Sequence, residues 1–135
     1  MTTTLLRTDT SEARALNAEA LADRFYELLA LPTDALDREI ARLVEAEHPL
    51  PESLRYEATL ARLRAWLALD PEEARIVAQS WDRAIAVLPT EYRARRVESE
   101  RAVLLNALTC DEFRRLAALL QWLDQEALVL AGGAG

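Results

Sequence analysis

The sequence predicts an all-α protein: six antiparallel helices, packed as a compact bundle or as three stacked helical hairpins. Three observations carry this. Apolar residues recur at three- and four-residue steps along almost the whole chain. Breaks fall near residues 32, 50, 70, 89 and 109, most of them marked by proline, so the step is about 19 residues. Glycine occurs only three times, all in the last four residues, and no stretch alternates as a half-buried strand would. Helices of about 17 residues span about 26 Å. Loops this short join antiparallel neighbours. The step of about 38 residues per helix pair is near that of helical repeats. The shared residues, however, are limited to Leu31–Asp34 and Leu88–Glu91, and the tetratricopeptide pattern is absent.

The clearest helix is Asp70–Leu88. Asp70 is placed to cap it, Pro71 sits where a missing N–H costs nothing, and Glu73 completes a capping-box spacing. Ala74, Val77, Ala78, Trp81, Ala84, Ile85 and Leu88 share one face, and Pro89 stops the helix.

The other elements repeat the device. Residues 1–8 read as a flexible lead-in to a single helical domain over 9–131, with a Gly-rich tail at 132–135. The first helix starts near Asp9–Ser11, where Asp9 and Glu12 have capping-box spacing, and buries Leu21, Phe25, Leu28 and Leu29 before Pro32. The second is capped by Thr33, carries Leu36, Ile40, Leu43 and Val44 on a narrow stripe, and ends at Glu47–His48. The third opens with Pro51 at its first position and runs to about Leu69. It is apolar on two sides: Leu54, Ala58, Ala61, Ala65 and Ala68 on one seam, Tyr56, Leu60, Leu63 and Leu67 on the other. Such a helix is sandwiched. The fifth is capped by Thr90, with Val97, Leu104, Leu105 and Leu108 as its face. The sixth is opened by the capping box Thr109–Glu112, buries Phe113, Leu116, Ala117, Leu120, Leu123 and Ala127, and stops at Gly132–Gly133.

Composition bounds the function. The 135-residue chain has 51% hydrophobic and 29% charged residues, which fits one globular, soluble domain. A net charge of −7 argues against nucleic acid and anionic membranes as partners. All sixteen basic residues are arginine, which excludes Schiff-base lysines and a Walker A lysine. The lone Cys110 excludes an internal disulfide, no apolar run reaches membrane-span length, and the start lacks a secretory pattern, so the cytoplasm is expected.

Candidate chemistry is sparse. Glu45 and His48 form a Glu-x-x-His pair on one helical face. A complete di-metal site would need more ligands, available only across a dimer. A histidinium at that helix end would suit the dipole. Cys110 sits at a helix N-terminus, but Asp111 and Glu112 oppose a low thiol pKa. Arg101 and Asp124 fall inside apolar stripes, and each either snorkels outward or reaches a rim or a subunit interface. Antiparallel zipping from Thr109 would put Arg101 opposite about Ala117. Arg93, Arg95 and Arg96 form the one basic spot, read as a solvated face.

No catalytic, cofactor-binding or metal site is assigned. Ala118, Trp122 and Val129 make a second apolar stripe on the last helix, which is either more core or a protein-binding surface; the protein-binding assignment is made on these three residues. The function expected is a non-enzymatic protein-interaction module: an adaptor, small chaperone or regulatory subunit that binds another protein or itself as a homodimer. The alternatives are a small-molecule or metal-binding bundle assembled across a dimer, and an acidic inhibitor presenting Asp34, Asp37, Glu39, Glu45 and Glu47.

Overall fold

A computed structural model describes residues 17–119 as six helices, with no strand among the described residues. They are α1 (Ala18–Leu29), α2 (Thr33–Glu47), α3 (Glu52–Ala68), α4 (Pro71–Ala86), α5 (Thr90–Asn106) and α6 (Cys110–Leu119). The breaks fall where proline and acid–proline punctuation places them. The lead-in, the glycine tail and the continuation of the last helix lie outside the described residues.

Helix starts differ in detail from the sequence reading. Prolines 32, 51 and 89 take the N-cap positions of α2, α3 and α5, and Thr33 and Thr90 are already inside their helices. Proline suits the place: its φ is fixed near −60°, the cap backbone is extended, and the cap's own N–H is dispensable. Asp70 caps α4 through its backbone, but its carboxylate makes no capping bond, so the Asp70–Glu73 box does not form. The Thr109–Glu112 box does form, reciprocally: Glu112 N–H donates to Thr109 Oγ1 (3.1 Å) and Thr109 N–H to a Glu112 carboxylate oxygen (3.0 Å). α1 begins at Ala18, capped by the Asn17 side chain, which accepts from Ala20 N–H (2.9 Å). The expected start near Asp9–Ser11 lies outside the described residues.

The helix–helix contacts are those of a compact bundle. The most extensive run between helices two apart in the chain: α1 with α3, α2 with α4, and α3 with α5. α3 is the central element, also touching α4 and α6, and both of its seams are used. Ala58, Ala61, Ala65 and Leu63 are buried, while Tyr56, Leu60 and Leu67 are half-buried. The small alanines let neighbouring backbones approach closely. Phe25 of α1, Trp66 of α3 and Trp81 of α4 meet edge-to-face at the centre, with ring centroids 6.2–6.3 Å apart.

α6 packs on α3 and α4. Arg64 of α3 grips Glu112 with two nitrogens (2.9 and 3.3 Å), and Arg75 of α4 donates to the Leu119 carbonyl (2.8 Å). These pairings set α6 against α3 and α4.

Candidate functional site

The apolar stripe expected on α5 is divided. Leu104, and Leu108 just beyond the helix, are half-buried and pack against the core, whereas Leu105 is 67% exposed and Val97 36%. Arg96 and Val103, seven residues apart on one helical line, are the buried residues of α5. Arg101, expected within the apolar stripe, is exposed. The basic spot splits accordingly: Arg93 and Arg95 are exposed, but Arg96 is 4% exposed and is not part of a solvated face.

The reason is a buried ionic cluster that outweighs the apolar stripe. Glu47, at the last turn of α2, is buried and accepts from Arg62 through both carboxylate oxygens (3.0 and 3.1 Å) and from Arg96 (3.0 Å). Arg62, on α3, also donates to Glu100 of α5 (3.0 Å), and Arg96 donates to the Val44 carbonyl (2.6 Å). Two arginines thus face two glutamates across α2, α3 and α5. A buried charge is tolerated only when paired and hydrogen-bonded, and here each guanidinium has a carboxylate and a second acceptor. Desolvation pushes the Arg96 guanidinium below its ordinary value and the neighbouring Arg62 adds to this; Glu47 opposes it. Arg96 stays a cation, as arginine does in proteins. The cluster is roofed by aromatic rings. The Arg62 guanidinium lies 4.5 Å from the Trp81 ring centroid and 5.5 Å from that of Trp66.

A signal for the cluster is present in the sequence. Glu47 continues the apolar line Leu36, Ile40, Val44 at the next helical step, and Arg62 sits between Ala58 and Trp66 at four-residue spacing. Acids and arginines at core positions of successive helices mark such a network.

Between α4 and α5 lies a cleft of about 290 Å³ lined by Trp66, Trp81, Ile85, Val97, Arg93 and Arg96, among others. That is at the lower edge of ligand-pocket sizes, about 300 Å³ and upward. Of its charged groups, Arg96 is paired with Glu47 and Glu100 with Arg62, while Asp82 and Arg93 stand exposed at its edge. The indole N–H groups of Trp66 and Trp81 are covered from solvent and lack a hydrogen-bond partner.

The Glu45/His48 pair does not converge on a site. Glu45 is exposed, and His48 packs edge-on against Tyr92, with ring centroids 3.6 Å apart. Among the described residues no group of three or more His, Cys, Asp or Glu side chains is placed to hold a metal ion. Burial, then the neighbouring Arg96, Arg95 and Arg55 charges, hold His48 below its ordinary pKa and favour neutral imidazole. Cys110 is exposed at the first position of α6.

α2 does not present a carboxylate face. Glu47 is consumed in the cluster. Asp37 accepts from Ser80 (2.6 Å) and Arg83 (2.9 Å), which hold its carboxyl below the usual range, and Glu39 pairs with Arg24 and Arg42. Asp34 and Glu45 are left exposed.

No family model, curated protein or solved structure matches this chain.

Of the expected binding residues, Ala118 is exposed on α6; Trp122 and Val129 lie outside the described residues. Among the described residues, large apolar side chains are exposed at Tyr26, Leu31, Ile76 and Val87, and on α5 at Val97 and Leu105. That helix touches α3 along its inner, ionic face and turns Leu105 outward, with Ala94 on the same side about three turns earlier. No described helix is long and apolar enough to cross a membrane.

Proposed function

We propose that this chain is a non-enzymatic protein-interaction module of the cytoplasm, an adaptor or regulatory subunit that engages its partner through the outer face of α5. The observation that carries the reading is the burial of charge on the inner side of that helix while a leucine stands outside. Its arginine and glutamate are spent inside on Glu47 and Arg62, while Leu105, 67% exposed, and Val97, 36% exposed, stand at the surface. A helix that buries ions and exposes leucine gains from a second apolar surface laid over it. The chemistry beside it supports the same reading: Arg96 and Glu100, which line the cleft, are paired with Glu47 and Arg62.

The test is site-specific photo-cross-linking in cells that express the chain, with the cross-linker at Val97. The expected result is a discrete adduct that disappears with L105D and persists with I76D, since Ile76 is an exposed apolar residue on α4. No adduct, or an adduct equally sensitive to both substitutions, overturns the reading.

A further inference from the structure

The proposal of an interaction face on α5 leaves its occupant open, and the residue order on that face names one. At about 100° per residue, the line opposite buried Arg96 and Val103 is held by Ala94, Glu98, Arg101 and Leu105. All four are exposed. Ala94 and Leu105 bracket Glu98 and Arg101 symmetrically, and both pairs share one midpoint between residues 99 and 100. Turned end for end about that midpoint, the face becomes its own complement. Glu98 meets Arg101 of the other copy and Arg101 meets Glu98, while each Leu105 meets the small Ala94.

A two-fold interface requires this relation: residue i on j, and j on i. We infer that the partner of the α5 outer face is a second copy of this chain, the two α5 helices crossing antiparallel about the point between Glu98 and Arg101. The inference rests on the proposed function and specifies it. Opposite charges face each other in two symmetry-related pairs, and the large leucines face alanines rather than one another, so the helices can approach closely. One helix pair is a small interface, so association in the range of about 0.1 mM is expected rather than tight dimerisation. The net charge of −7 on each copy opposes approach at low ionic strength, so the measurement belongs at about 0.15 M salt, where distant charges are screened.

The experiment is solution mass by light scattering over a concentration series, with E98R, R101E and the double variant E98R/R101E. Wild type is expected to rise from the 15.2 kDa monomer toward twice that mass. E98R alone sets arginine against arginine twice, and R101E sets glutamate against glutamate. Each single variant is expected to bind itself at least tenfold more weakly. The double variant, and an equimolar mixture of the two single variants, restore opposite charges in both pairs and are expected to recover the wild-type mass curve. Both positions are exposed, so unchanged circular dichroism and melting temperature keep misfolding from imitating the result.

A wild type that stays monomeric throughout overturns the second copy as partner, as does a dimer indifferent to the single reversals. If the Val97 cross-link then still forms, sensitive to L105D, at a mass other than that of two chains, the interaction face stands and only its occupant falls. Loss of both results removes the face itself.

Discussion

A Glu47→Ala variant is expected to lose about 3–5 kcal/mol of unfolding stability, read as a shift in the urea midpoint. Glu47 is the hinge of the buried cluster, accepting from Arg62 and Arg96. Removing it leaves two guanidinium groups, 1% and 4% exposed, facing each other with Glu100 as remaining carboxylate counterion. The loss comes from the charges left behind, not from the worth of the pair. Replacing all three residues by apolar ones of similar size, E47L/R62M/R96L, is therefore expected to recover most of the stability. Glu47→Gln keeps the shape and one acceptor and should fall between. The damage should begin at α5, whose buried side is Arg96 and Val103. Its amides are expected to lose hydrogen-exchange protection before those of α3. A Glu47→Ala variant within about 0.5 kcal/mol of wild type would mean that the arginines reach water and the cluster is not buried.

Trp81→Ala is the second large effect, also expected at about 3–5 kcal/mol. Trp81 is 3% exposed and edge-on to Phe25 and Trp66, with Arg62 over its face. The substitution opens a large cavity where α1, α3 and α4 meet, and it strips an aromatic neighbour from a buried cation. Trp81→Phe keeps a ring under Arg62 and should cost distinctly less. Equal losses for the two variants would show that volume alone matters and that the cation–ring contact contributes nothing measurable.

Both predictions fall on groups with opposite histories of legibility. Trp81 was readable because it lies on the periodic face of the best-marked helix, where pattern, cap position and proline stop agree. α3 was readable as a sandwiched helix for the same reason: two apolar seams need two neighbours, and α1 and α5 supply them on one element already packed by α4. The face of α5 was misread because hydropathy treats every arginine as a surface residue. Val97, Leu104, Leu105 and Leu108 outscore Arg96 on any apolar count, yet Arg96 is buried, since Glu47 and the Val44 carbonyl accept from its two terminal nitrogens and burying it brings Val103 inward. Nothing local to α5 encodes that outcome, because the decisive partner lies 49 residues earlier in the chain. The cap positions failed differently. A proline and the threonine after it are both acceptable at a helix start, and composition alone does not say which takes the cap. The candidate site was less legible still. The expected stripe on the last helix reaches the described residues only at Ala118, and the self-complementary order of Ala94, Glu98, Arg101 and Leu105 becomes meaningful only once the inner face is known.

The orientation of α5 is thus the claim on which the rest depends. Its most direct test is methyl NMR on dilute, monomeric protein with a soluble paramagnetic agent. The account predicts strong broadening of the Leu105 methyls, intermediate broadening at Val97, and methyls of Val103 as protected as those of Val77 in the core. Protected Leu105 with broadened Val103 would contradict it, turning the leucine inward, Arg96 outward, and removing the proposed face.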